Sequence, residues 1–154
     1  MLTRNFLQML GGSSGMGAEN SDKATVKTID GSASGLVLGI NGSTPFSSSG
    51  WPNSKFIIGT GTTKPKITDI NLESEIKEGY DCSALGKRYI IGDEKDYIKI
   101  YGTITNTGTD SLSFNEVGWL IMYSSKYHLV AREVYDTPIT IAPGESVAVN
   151  VNIM

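Results

Sequence analysis

The segment from Ser146 to Ile153 carries the pattern that most limits how this chain can fold. Its aliphatic residues Val147, Val149, Val151 and Ile153 alternate with small or polar ones. Alternate side chains of a β-strand point to opposite faces, so the four aliphatic residues would share one face. The pattern predicts a strand that is buried on one side against a second sheet.

A second alternating segment runs from Tyr97 to Thr105. Its isoleucines would lie on one face of a strand, and its tyrosines, Lys99 and Thr103 would lie on the other. The two segments together predict the centre of a hydrophobic core, formed by Ile98, Ile100, Ile104, Val147, Val149, Val151 and Ile153.

Short apolar segments separated by turn-forming residues continue along the rest of the chain. The Asn106–Asp110 segment and the Pro143-Gly144 pair are two of the predicted turns, and Gly144 fits the third position of a type II turn. This spacing predicts an all-β fold, an antiparallel β-sandwich of the Ig-like, Greek-key type. The predicted strands lie at 56–58, 89–91, 97–105, 112–114, 117–123, 129–135, 139–141 and 147–153. The segment 72–76 is ambiguous and could form a further short strand.

Residues 1–50 differ in composition from the rest of the chain. They are rich in glycine and serine, which bury little apolar area and lose much entropy on ordering. We therefore predict an extended Gly/Ser-rich N-terminal arm over 1–50, which can include a short helix at 2–10, and a β-sandwich domain over 51–154. Near the start of the arm an apolar stripe at helical spacing predicts an assembly interface, formed by Leu2, Phe6, Met9 and Leu10.

Charge and cysteine content exclude several classes of protein. A net charge of -3 and a pI near 5.1 provide no basic surface for nucleic acid or for an anionic membrane. A single cysteine allows neither an intrachain disulfide nor a thiolate metal cluster. The apolar stripe of the first ten residues is too short for a secretory signal or a membrane span. We therefore expect neither nucleic acid nor membrane as a direct partner.

Each residue that could carry chemistry has a stronger structural interpretation. The Gly59–Lys64 segment lacks the spacing of a phosphate-binding loop, and its glycine and threonine residues predict a tight loop. His128 is the only histidine, too few for a zinc site, and is expected at a strand end. Cys82 is expected to act as a small hydrophobic residue, and 93–96 as a solvated turn. We therefore predict no catalytic residue, no cofactor and no metal, and a protein that is not an enzyme.

Three tyrosines are candidates for contacts at the surface. Tyrosine combines an apolar ring with a polar tip, which suits both sugar faces and protein interfaces. Core-edge packing or an intersubunit contact is the alternative for each ring. The three candidates are Tyr97, Tyr101 and Tyr127.

Several short motifs resemble segments of small structural proteins of tailed bacteriophages. The resemblance covers about 56–153, and the opening Leu2–Phe6 is also similar. The motifs recur in order, although each is short. They are Ile58–Pro65 followed by Asp69 and Leu72, then Tyr101–Thr107, Asn115–Gly118 and Ala131–Ser146.

The resemblance implies a non-enzymatic, capsid- or tail-associated subunit present in many copies in the virion. Its expected partners are copies of itself and other virion proteins, and it would be made in the cytoplasm of the host bacterium. The alternative is a carbohydrate-binding module of a phage fibre that attaches to a host-surface glycan through the three tyrosines.

Overall fold

The computed structural model describes residues 1, 25–27, 29–31, 33–35, 54–90, 97–123 and 125–153 of the chain. Within these residues the chain forms nine β-strands and no helix. The described part of the chain therefore contains no helix that is long and apolar enough to cross a membrane. The prediction of an all-β fold is confirmed. The strands are β1 Thr25–Lys27, β2 Ala33–Gly35, β3 Ser54–Gly59, β4 Glu75–Ile76, β5 Tyr80–Ile90, β6 Tyr97–Asn106, β7 Leu112–Tyr123, β8 Lys126–Ile141 and β9 Ser146–Ile153.

Strands β3 to β9 form two antiparallel sheets. The four-stranded sheet has the order β4-β3-β7-β8, and the three-stranded sheet has the order β5-β6-β9. Strands β1 and β2 form a separate antiparallel ribbon. The chain thus alternates between the two main sheets: β5 and β6 belong to one, β7 and β8 to the other, and β9 pairs with β6 again.

One hydrophobic core takes side chains from both main sheets. Trp119 and Phe56 of the four-stranded sheet pack in the same cluster as Ile100 and Val151 of the three-stranded sheet. Burying an aliphatic side chain of this kind contributes about 1.5 to 3 kcal/mol. Among the predicted core residues, Ile100, Ile104, Val149 and Val151 are buried, and Val147 is partly buried against them. Only the backbone is described for Ile98 and Ile153.

The opposite face of the four-stranded sheet carries a second, smaller apolar cluster. Ile57 lies between Phe56 and Ile58 in sequence, and it packs with Leu120, Leu129 and Leu72. Leu72 comes from the loop between β3 and β4, and Ile29 also packs on this cluster. The sheet therefore buries apolar side chains on both faces, which explains the uninterrupted apolar runs of β3 and β7.

Two predicted strand pairs prove to be single bulged strands. Segments 112–114 and 117–123 belong to β7, and segments 129–135 and 139–141 belong to β8. The register between these strands shifts between Phe114 and Glu116 and again between Trp119 and Leu120. Bulges of this kind interrupt the alternation in sequence without ending the strand. The strand predicted at 89–91 likewise begins much earlier, at Tyr80.

The predicted turn at Pro143-Gly144 is confirmed. Gly144 has a φ of +78°, and the Glu145 N–H donates to the Ala142 carbonyl at 3.1 Å. The Gly144 N–H also donates to the Asn106 carbonyl at 2.9 Å, which fixes the turn to the end of β6. The turn therefore sets how β8 passes into β9.

Replacing Gly144 with valine is expected to destabilise the fold through backbone strain alone. A Cβ at this position would meet no atom within 4 Å, so no steric clash contributes. A left-handed conformation costs an L-residue roughly 1 to 2 kcal/mol. Urea unfolding should show a loss of about that size for Gly144→Val and a smaller one for Gly144→Asn, because asparagine tolerates this region. Equal losses in the two variants would contradict the assignment.

Most of the predicted arm, including Leu2, Phe6, Met9 and Leu10, lies outside the described residues. Two of its described residues, Met1 and Ile29, contact β8. The amino group of Met1 donates to the Arg132 carbonyl at 2.7 Å, and the Arg132 N–H donates to the Met1 carbonyl at 3.0 Å. The Ile29 N–H donates to the Tyr127 carbonyl at 3.3 Å. The role of the arm in assembly stays a prediction.

Candidate functional site

The longest described connection between strands is the loop of residues 60–74, which joins β3 to β4. We call it the β3–β4 loop. Its two ends are joined, because the Thr60 N–H donates to the Ser74 carbonyl at 2.9 Å. Loops of this compact form, with adjacent ends, frequently have functional roles. The residues that hold it in place are therefore the first candidates for a site.

A buried carboxylate fastens this loop to the four-stranded sheet. Glu116 is fully buried in β7, and its carboxylate accepts hydrogen bonds from both ends of the loop. The donors are the backbone N–H groups of Gly61 at 3.1 Å, Glu73 at 2.7 Å and Ser74 at 3.3 Å. These bonds replace the water that a buried carboxylate has lost.

Arg132 of β8 neutralises Glu116 and reaches the same loop. Its Nε donates to Glu116 Oε1 at 2.6 Å, and its Nη1 donates to Asp69 Oδ2 at 2.7 Å. Nη2 lies 3.7 Å from Glu73 Oε2. Burial lowers the pKa of the guanidinium, but the hydrogen bonds to Asp69 and Glu116 outweigh burial and raise that pKa. We call Asp69, Glu73, Glu116 and Arg132 the Arg132 cluster.

Glu73 holds the neighbouring part of the loop from the solvent side. Its carboxylate accepts from the Thr62 N–H at 2.9 Å, the Thr63 N–H at 2.8 Å and the Thr63 hydroxyl at 2.7 Å. Hydrogen bonds from the Thr63 hydroxyl and backbone lower the pKa of the Glu73 carboxyl. The ionised form of Glu73 is therefore the one that holds Thr62 and Thr63 in place.

Acidification is expected to loosen the loop before it unfolds the sheets. Because the pKa of Glu73 is lower in the folded chain than its ordinary value of 4.5, its contribution is complete above pH 4.5 and is lost as pH falls below that value. Hydrogen exchange of the Thr62 and Thr63 amides should accelerate in that range relative to the pH trend of exposed amides. In Glu73→Gln the two amides should exchange fast already at neutral pH. Unchanged protection in this variant would contradict the role of Glu73.

The Arg132 cluster is a structural anchor in its chemistry. Every carboxylate in it accepts backbone hydrogen bonds from the β3–β4 loop, including Asp69, which accepts from the Lys66 N–H at 2.8 Å. Within the described part of the chain, no three histidine, cysteine or acidic side chains are arranged to bind a metal ion. The cluster fixes the position of a loop whose tip is exposed, including Ile67 at 44%.

The structure does not bring the predicted surface tyrosines together. Tyr101 lies on β6 of the three-stranded sheet, points away from the shared core and is 38% exposed. Tyr127 lies on β8 of the other sheet, is half-buried beside the smaller apolar cluster, and has Lys55 Nζ 4.5 Å from its ring centroid. For Tyr97 only the backbone, in β6, is described. Tyr101 and Tyr127 therefore do not form one aromatic platform.

The other candidate residues have structural surroundings. Cys82 is partly buried against the shared core, and burial raises the pKa of its thiol, which favours the inert neutral form. His128 is the third residue of β8, close to the strand end as predicted, although its complete burial was not anticipated. The Gly59–Lys64 segment leaves β3 as an irregular part of the β3–β4 loop, and 93–96 lies outside the described residues.

One further contact links the two main sheets at their edges. The Tyr135 hydroxyl of β8 donates to the Asn150 carbonyl of β9 at 3.2 Å. Burial and the negative charge of Glu133 raise the pKa of Tyr135 to about 12, while a hydrogen bond with the Asn150 backbone acts in the opposite direction. The hydroxyl therefore stays protonated at physiological pH.

No protein-family model, curated protein or solved structure matches this chain. The residues of the Arg132 cluster were not predicted from sequence, although two of them carry a signal. Glu116 is the only charged residue of β7, and Arg132 directly follows the apolar run Leu129–Ala131 of β8, the strand that pairs with β7. A buried charge requires a partner, so one acid and one base in such positions indicate a pair.

Proposed function

We propose that this chain is a non-enzymatic structural subunit of a tailed bacteriophage particle, associated with the capsid or the tail and present in many copies. The N-terminal arm would hold it to neighbouring subunits. The sequence resemblance supports this proposal, and so does the composition of the arm, whose small side chains allow close approach between backbones.

The main structural support for the proposal is the role of the buried charged residues. Arg132 and Glu116 hold the β3–β4 loop against the sheet through hydrogen bonds to the loop itself. A buried ion pair contributes little net stability compared with apolar packing. The position in which the pair holds the loop is therefore a better explanation for its presence than stability. A rigid domain with a fixed exposed loop suits a subunit that must present the same surface in every copy.

We also propose that the two main sheets form a β-sandwich. Their shared core, the alternation of β6 and β9, and the connections that alternate between the sheets support this arrangement. In an assembly, the free edges of such a sandwich can serve as docking sites for strands of neighbouring subunits.

The proposal is tested on purified particles of a phage that encodes this chain. Quantitative mass spectrometry of gradient-purified particles should find the chain at a fixed ratio to the major capsid or tail protein. The ratio should persist after a high-salt wash, because salt screens exposed charges but weakens buried contacts between subunits much less. Absence from the particles, or loss with the wash, would contradict the role.

A second candidate function, glycan binding at a fibre, is favoured by one observation. The exposed ring of Tyr101 lies against Gly86 on one side and pairs across the sheet with Asn150 on the other. An open aromatic ring beside an amide is suited to a sugar face. Loss of binding on a glycan array in Tyr101→Ala, with retention in Tyr127→Ala, would support this function. No binding by the parent chain would exclude the glycans tested.

A further inference from the structure

Strand β9 forms one edge of the three-stranded sheet, and it differs from the other described edges. It contains eight residues with no charge and no proline, and it pairs with β6 without a register shift. The other edges of the two main sheets are protected: β4 has only two residues, β8 contains Pro138, and β5 has a bulge and carries Asp81 and Lys87. Natural sheets use such features to prevent pairing with another chain.

The register identifies which backbone groups of β9 face outwards. The Asn106 N–H donates to the Glu145 carbonyl at 2.9 Å, and in an antiparallel ladder the inward and outward directions alternate. The even-numbered residues of β9, including Ala148 and Asn150, therefore direct their N–H and C=O groups away from β6. The hydrogen bond from the Tyr135 hydroxyl to the Asn150 carbonyl agrees with this direction.

Tyr135 thus occupies an outward-facing carbonyl near the middle of this edge. Its hydroxyl takes the place of the donor that an added strand would supply, while Ala148 on the same edge has an exposed side chain. We propose that the β9 edge is a docking edge for a second copy of this chain, paired antiparallel, and that the Tyr135 hydroxyl keeps it closed until two copies meet.

A second copy is the occupant that the charge pattern favours. In a two-fold antiparallel pair the strand faces a second copy of itself, so a strand without charged residues brings no like charges opposite each other. Strand β9 has no charged residue, and its outward-facing backbone supplies matching donors and acceptors. This proposal rests on the proposed role as a multi-copy subunit and names the edge through which copies would meet.

The test is the oligomeric state of the purified chain, measured by sedimentation over a range of concentrations. Tyr135→Phe keeps the ring and removes the hydroxyl. Dimerisation of the parent breaks one Tyr135–Asn150 hydrogen bond in each copy, and the variant has neither bond to break. The variant should therefore dimerise at a concentration roughly tenfold or more below that of the parent. Tyr127→Phe, the matched control, should behave as the parent. Adding Ala148→Lys should abolish the dimer of Tyr135→Phe, whereas adding Thr109→Lys in an exposed turn should not.

Two results would overturn the proposal. One is a Tyr135→Phe variant that dimerises no more than the parent, and the other is a dimer that Ala148→Lys leaves intact, because that dimer would use another surface. If Tyr135→Phe does not unfold cooperatively, the single variant Ala148→Lys is measured instead. It should dimerise more weakly than the unchanged chain. Presence of the chain in particles is measured separately, so failure of the edge does not imply failure of the structural role.

Discussion

Replacing Arg132 with methionine is expected to lower the free energy of unfolding by about 3 to 5 kcal/mol, the usual result of removing one partner of a buried pair. The Glu116 carboxylate would stay fully buried without its cation, and Asp69 would lose its bond to the guanidinium. Chemical unfolding at neutral pH measures the loss. Lys64→Met, which removes an exposed lysine from the same loop, is the control and should change stability by less than about 0.5 kcal/mol.

The same variant should also release the β3–β4 loop. Hydrogen exchange should increase at the Gly61 and Lys66 amides, since their acceptors Glu116 and Asp69 are no longer positioned by Arg132. The core amides of β6 should exchange only as fast as the lower global stability requires. Arg132→Met with parental stability and parental loop protection would contradict the account of the cluster.

Gly59→Ala is expected to cost about 3 kcal/mol, the upper end of the range for overpacking, although it adds only one methyl group. The new Cβ would lie 2.5 Å from Glu116 Oε2 and 2.5 Å from the Ser74 carbonyl oxygen. Neither atom can move freely, because the first belongs to a buried carboxylate and the second to the loop backbone.

A matched glycine tests whether the site, rather than glycine content, is responsible. A Cβ on Gly108 would meet Asn106 Oδ1 at 3.3 Å, a contact that a shift of a few tenths of an ångström would relieve, so Gly108→Ala should cost less than Gly59→Ala, about 1 kcal/mol. Thermal or urea unfolding of both variants gives the comparison. Equal losses in the two variants would show that the close packing around Gly59 does not constrain the loop.

The fold class could be predicted from sequence where a strand is buried on one face only. The alternation in β9 and β6 identified Ile100, Ile104, Val149 and Val151 as core residues, since one face of each strand packs on the other sheet. The pattern failed for β7 and β8, because their bulges shift the alternation and their apolar residues lie on both faces. The turn at Pro143 and Gly144 could be predicted because it depends only on the backbone conformations that these two residues prefer.

The candidate site was harder to predict because it is made of contacts distant in sequence. Arg132 meets Asp69 and Glu116 across separations of 63 and 16 residues, which no local pattern encodes. Strand alternation indicates that Tyr101 faces outwards from β6, where its ring is exposed, but no local pattern indicates that Tyr127 lies on the other sheet.

The central proposal, that this chain is a virion subunit held by its arm, is tested most directly by deleting residues 1–50. The deletion also removes the contacts of Met1 and Ile29 with β8, so cooperative unfolding must first show that the remaining domain is folded. The measurement is the copy number of the chain in purified particles, for the full chain and the truncated one. The account predicts a fixed multi-copy ratio for the full chain and no incorporation of the folded, truncated domain. Incorporation of the truncated chain at the parental copy number would contradict it.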